Sequence, residues 1–224
     1  MSRVWMSSVI SNYVVGQRGG LWTKYYGREW GRPIVGGSSE PEEVYQAMNR
    51  NAMGFRIERT EFPEASAVLD EEAFKQGTDI FWESGFFVVT GKLAELLADF
   101  DFGEGGGLVP YPIYQADLEA LYPGEYFLLN FACRKDTVLI DQCEDAKEFL
   151  VFKQTGTQSY HLNRAKPKGK VVLSSAALEG PDIWFEDAAY NKLFVSDELV
   201  EALQSIGMDE VFRLLDCVVV GDSA

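Results

Sequence analysis

Short apolar runs separated by polar breaks dominate the chain, and few of them reach helical length. Residues 1–10, MSRVWMSSVI, alternate loosely, and GFRIERT (54–60) sets Phe55 and Ile57 against Arg56 and Glu58, so both predict half-buried strands. EYFLLNFA (125–132) is continuous, apolar and β-prone, which predicts a central strand buried on both faces. TVLID (137–141), EFLVFK (148–153) and GKVVLSS (169–175) predict further strands between polar or basic turns. LVPYPIY (108–114) has prolines at alternate positions, which suits an edge strand or an extended link. Helical signals are fewer. In SSEPEEVYQAMNR (38–50), Ser38 or Ser39 can cap, Pro41 suits an early helical position, and Glu42 and Glu43 face the positive end of the dipole; the helix is expected to reach about Asn49. The last run, DEVFRLLDCVVV (209–220), reads as a short helix or strand.

Two stretches echo each other: DIFWESGFFVVTGKLAELL (79–97) and DIWFEDAAYNKLFVSDELVEAL (182–203). Asp79, Ile80 and Glu83 match Asp182, Ile183 and Glu186, and four of eleven later positions are identical when 87–97 faces 193–203. Only the connecting loop differs, being three residues longer in the second copy. Each copy reads as an apolar strand ending at a hydroxyl residue, Thr90 or Ser196, that caps the following helix. Leu93 with Leu97, and Leu199 with Leu203, give each helix an apolar stripe.

Strands outnumber helices without a regular βαβ alternation, so the expected class is α+β, with mixed, mostly antiparallel sheets and a few short helices packed on them. GEGGG (103–107) breaks the pattern and reads as a flexible link between an N-terminal subdomain, 1–102, and a C-terminal one, 108–224, unless the chain is one continuous domain. The glycine- and aromatic-rich stretch 14–39 reads as an irregular, ordered excursion.

Composition narrows the class. The 224 residues are 46% hydrophobic and 13% aromatic, enough for a substantial core. No apolar run is long enough to cross a membrane, and MSRVWMSSVI lacks the features of a signal peptide, so a cytoplasmic location is expected. Cys133, Cys143 and Cys217 are odd in number and lack paired metal spacing, so neither a disulfide framework nor a zinc site is expected. The net charge is −15, yet residues 1–35 carry +4 and RAKPKGK (164–170) another +4, leaving −23 on the rest. That surplus repels nucleic acid over most of the surface and favours a cationic protein partner. A solubilising role for the acids is the plainer alternative.

Candidate chemistry is sparse. His161 is the only histidine, and SYHLNR has no nucleophile-elbow pattern or neighbouring cysteine, so it reads as a strand or turn residue. DQCEDAKE (141–148) lacks the spacing and central glycine of a calcium loop, and GEGGG lacks the Lys-Ser/Thr of a phosphate loop. No metal or cofactor is expected. GQRGGLWTKYYGREW mixes basic and aromatic residues as single-strand nucleic-acid or carbohydrate binders do, but on so acidic a chain it reads as a structural arm or contact surface. The remaining chemical option is an enzyme with paired carboxylates, Asp79 with Glu83 or Asp182 with Glu186. Packing accounts for the same residues as parts of a strand-cap-helix scaffold.

DIWFEDAAYNKLFVSDELVEALQSIGM (182–208), preceded by KVVLSSAALEG (170–180), resembles the C-terminal signature of immunity family eleven, formerly a domain of unknown function. FFVVTGKLAELL, LVPYPIY and GEYFLLNF resemble the middle of that family in order and spacing, so the likeness covers about 79–215. The resemblance implies a non-enzymatic immunity protein of a bacterial polymorphic toxin system, made beside a cognate toxin and neutralising it by binding. It carries no catalytic residues over. A cytoplasmic toxin with a basic, nuclease-like domain would suit the charge of this chain. The expected contact residues are the clustered acids Glu42, Glu43, Asp70, Glu71, Glu72, Asp141, Glu144, Asp145 and Glu148. A housekeeping adaptor is a third reading.

Overall fold

The computed structural model describes residues 3–16, 18–30, 41–75, 77–151, 156–162 and 170–221. Along the chain run β1 (Val4–Ser7), β2 (Leu21–Tyr25), α1 (Glu42–Asn51), β3 (Pro63–Val68), α2 (Glu71–Lys75), β4 (Ile80–Glu83), β5 (Phe86–Thr90) and α3 (Gly91–Leu97). Then follow β6 (Gly107–Pro110), β7 (Ile113–Tyr114), β8 (Tyr126–Asn130), β9 (Arg134–Lys135), β10 (Lys147–Val151), β11 (Gln158–His161) and β12 (Val172–Ser174). The chain closes with β13 (Ile183–Glu186), β14 (Leu193–Ser196), α4 (Asp197–Ser205), α5 (Asp209–Phe212), β15 (Leu214–Asp216) and β16 (Val218–Val220). The fold is α+β.

The echo is one arrangement built twice. The first copy lies in an antiparallel sheet of order β4-β5-β8-β6, and the second in a sheet whose antiparallel part runs β13-β14-β1-β15, with β9 added in parallel beside β13. The first strand of the chain, β1, thus holds in the second unit the place that β8 holds in the first. Matching bonds fasten the two hairpins: the Thr90 N–H donates to the Asp79 carbonyl at 3.0 Å, and the Ser196 N–H to the Asp182 carbonyl at 2.9 Å. The units also exchange chain. After β1 the backbone crosses so that the Gly16 carbonyl accepts from the Trp82 N–H, and after β8 it crosses back so that the Cys133 carbonyl accepts from the Phe185 N–H.

Side-chain alternation then sorts the core. Phe87, Val89, Ile183, Leu193 and Val195 face a central layer with Leu93 and Leu97 of α3 and Leu199 and Leu203 of α4, all buried. Burying each leucine contributes about 1.5–3 kcal/mol, so the two stripes lock the units together. The opposite faces are covered separately. Phe81, Phe86 and Val88 pack under α1 and α2 with Phe62 and Phe74, and Met6, Trp184 and Phe194 pack under Leu173 and Val171.

Several expectations change in detail. Ser196 caps α4 by accepting from the Leu199 N–H at 3.2 Å, but Thr90 caps nothing; its hydroxyl donates to the Glu125 carbonyl, and Gly91 takes the turn with φ +55°. GFRIERT forms no strand, because the Ile57 backbone is held by the Asn130 side chain, and the strand lies at 63–68. TVLID supplies one bridge, Val138 to Leu173, and then a 3-10 turn at Ile140–Gln142. GEGGG is a tight turn pressed against 130–133, not a slack link: a Cβ on Gly103 would stand 2.6 Å from the Ala132 carbonyl oxygen. Strands on either side of it pair with one another, since β5 precedes the turn and β6 and β8 follow it. The caps Ser38 and Ser39 and most of the basic island at 164–170 lie outside the described residues.

Candidate functional site

The echo brings two carboxylates to matching places. Glu83 ends β4 and Glu186 ends β13, and each is almost fully buried on the outer face of its sheet. Glu83 Oε1 accepts from Thr23 of β2 and from Ser66 of β3, the latter at 3.2 Å. Glu186 Oε2 accepts from the backbone N–H groups of Thr137 at 2.7 Å and Val138 at 3.3 Å, while Oε1 accepts from the Thr137 hydroxyl and from Trp184 Nε1 at 2.7 Å. Burial pushes the Glu186 carboxyl above the ordinary glutamate range, against the downward pull of those hydrogen bonds. Burial and the nearby Glu83 charge hold the Tyr111 phenol far above its usual value. Asp182 is likewise occupied, with the Ser196 hydroxyl on Oδ1 at 2.7 Å and the Asp101 N–H on Oδ2 at 3.0 Å. Glu83, Asp182 and Glu186 are therefore joints within the scaffold.

All nine acids expected to contact a partner are exposed, and they divide between two faces. Glu42 and Glu43 open α1, where Glu43 pairs with Arg28 at 2.9 Å. Asp70 caps α2 by accepting from the Glu72 and Ala73 N–H groups, and Glu71 pairs with Lys75 at 2.8 Å on that helix beside Glu72. These five lie over the core under α1 and α2. Asp141, Glu144, Asp145 and Glu148 lie over the core that holds Trp184, on the segment leading into β10. Among the described residues, no group of three His, Cys, Asp or Glu side chains could hold a metal ion, and no helix is long and apolar enough to cross a membrane.

A cleft of about 640 Å³ opens where β10 and β11, the β13–β14 loop, the end of β1 and the end of α5 meet. Lys147 and His161 are cross-strand partners on the β10–β11 hairpin, and both line it. Opposite them, the loop of the second echo copy supplies Tyr190, Asn191 and Lys192. That loop is fixed to the hairpin by the Tyr160 N–H donating to the Ala188 carbonyl and the Tyr190 N–H to the Tyr160 carbonyl. Lys192 Nζ donates to the buried Ser8 hydroxyl at 3.0 Å, and Arg213 closes the cleft from the left-handed C-cap of α5. Phe149, His161 and Tyr190 form a ring cluster, with centroids 4.1 Å apart for Phe149 and His161 and 5.4 Å apart, edge-on, for His161 and Tyr190.

The loop's extra length explains this site. The first copy joins its strands through Ser84 and Gly85, too short to reach another hairpin, whereas the second spends its longer loop on the cleft wall. That difference was the one sequence signal for the site, because Lys147 hides within the acidic run 141–148 and Arg213 is remote in sequence. An adjoining hollow of about 420 Å³ shares Tyr190 and Asn191 but offers less chemistry, since Arg134 there is spent on the Met53 carbonyl and on Asp187. The aromatic arm at 21–30 is structural, with Trp22 packed 5.0 Å from Trp30 and β2 paired to β3.

Compared with known proteins, the chain matches no family model and has no significant match among curated sequences.

Proposed function

We propose that this protein is a stoichiometric, non-enzymatic inhibitor of a cognate bacterial toxin, acting in the cytoplasm through protein-protein contact. The observation that carries the reading is the exposure of all nine candidate acids on a chain of net charge −15. Their two faces would meet a basic partner, such as a nuclease-like toxin domain, by electrostatic steering and then by close contact. An exposed aromatic side chain such as Tyr45, one helical turn from Glu42 on α1, would add desolvated contacts within that acidic field. The resemblance of 79–215 to an immunity family supports the same conclusion. Glu83, Asp182 and Glu186 are engaged by internal donors, which favours binding over carboxylate catalysis.

The test is co-expression with the product of the adjacent gene. Restored growth of cells carrying that product, together with recovery of a complex of the two chains, supports the proposal. Growth arrest unaffected by this chain, with no complex recovered, counts against it.

A further inference from the structure

We propose that the cleft between the β10–β11 hairpin and the β13–β14 loop binds a small molecule that joins a phosphate to a flat ring, of the mononucleotide class. This site borders one acidic face, with which it shares Asp145, and does not depend on the toxin reading.

Charge is the first reason. On a strongly acidic chain, three cations from distant segments, Lys147, Lys192 and Arg213, converge on one cleft beside a single acid, Asp145, among the described residues. Among the described residues, the side chains of Lys147 and Arg213 make no ion pair or hydrogen bond, although Arg213 also borders a hollow containing Asp209 and Glu210. Lys192 is held in place by Ser8, which is 4% exposed, and Ser11 lines the same space. A phosphate monoester, with up to two charges and several acceptor oxygens, uses such a set more fully than a single carboxylate does.

The rings are the second reason. His161 and Tyr190 line the cleft edge-on to each other, and Phe149, itself 46% exposed, backs both. An exposed aromatic cluster beside cations is the pairing that a nucleobase next to a phosphate satisfies.

Backbone geometry agrees. Among the described non-glycine residues five have a left-handed backbone, and three of them, Asp145, Asn191 and Arg213, line this cleft. Such conformations cost energy and gather where a surrounding site requires them. The volume, about 640 Å³, lies within the roughly 300–1,000 Å³ range of small-molecule sites.

The experiment is isothermal titration calorimetry of the full chain at low ionic strength with AMP, adenosine and inorganic phosphate. AMP is expected to bind, with phosphate and adenosine each at least about tenfold weaker, because each offers half of the complementary chemistry. Lys147→Gln alone should weaken AMP several-fold, and with Arg213→Gln at least about tenfold. His161→Ala should weaken AMP and leave phosphate unchanged. Melting curves of each variant by circular dichroism establish that the fold is retained. Absence of heat with AMP, GMP, CMP and UMP would overturn the proposal. So would AMP affinity indifferent to Lys147→Gln in a folded protein, phosphate binding as tightly as AMP, or a hexaglutamate peptide binding more tightly than AMP.

Discussion

Glu186 and Thr137 are joined twice: the Thr137 N–H donates to Glu186 Oε2 at 2.7 Å, and its hydroxyl donates to Oε1. The pair ties β13 to the segment after β9 across an interior where unmatched polar atoms are costly. Glu186→Gln places an amide NH2 among N–H donors, so it should lower unfolding free energy by about 2–3 kcal/mol, measured by urea denaturation. Partner binding by the folded fraction should persist. A carboxylate enzyme would show the reverse, with lost turnover at unchanged stability.

Gly103 tests the nature of the glycine-rich break. Its φ is +93°, and an added Cβ would meet the Ala132 carbonyl oxygen at 2.6 Å. Gly103→Ala should therefore destabilise by about 1–3 kcal/mol, visible as a lowered Tm. A slack connector would tolerate alanine without loss.

Asp197 links the first strand to the second echo unit. It opens α4, accepts from Trp5 Nε1 at 2.9 Å, and lies 3.2 Å from Arg3. Burial alone would raise its pKa, but the hydrogen bonds from Trp5 and Arg3 and the Arg3 charge outweigh it and hold the carboxyl below the ordinary aspartate range. A depressed folded pKa gives stability that is present above the unfolded value and lost as pH falls through the folded one. Asp197→Asn should thus cost about 1 kcal/mol at pH 7, with half-exposed Arg3 adding little through screened solvent. The difference from the native chain should shrink below about pH 4, followed by urea denaturation across that window.

The two halves of the echo were legible because hydrophobic alternation and leucine spacing survive in short windows. Leu93, Leu97, Leu199 and Leu203 meet in one core, as their stripes required. The paired use of β1 and β8 was not legible, since strand partners 190 residues apart leave no local mark. GFRIERT alternates like a strand, yet the Asn130 side chain takes its backbone bonds, a tertiary competition that periodicity does not register. The nine clustered acids are exposed, as their clustering suggested. The cationic cleft escaped because Lys147, Lys192 and Arg213 converge only through tertiary structure, and only the longer second loop hinted at it.

Electrostatic steering makes a kinetic prediction. If the acidic faces guide a basic partner, the association rate measured by stopped flow should fall roughly tenfold or more between about 50 and 500 mM salt, while dissociation changes far less. Glu42→Gln with Glu43→Gln, and separately Asp141→Asn with Glu144→Gln, should each slow association, and the face with the larger effect is the one the partner approaches. A rate indifferent to ionic strength contradicts the steering.

Inhibition by binding, as proposed, differs from inhibition by turnover in its stoichiometry, and a titration of purified toxin activity against this chain separates the two. Under the proposed binding mode, residual activity should fall linearly to zero near one equivalent of this chain and return when the complex is denatured and the toxin refolded. Complete inactivation of the toxin by a small fraction of an equivalent, progressing with time, would show a catalyst and contradict it.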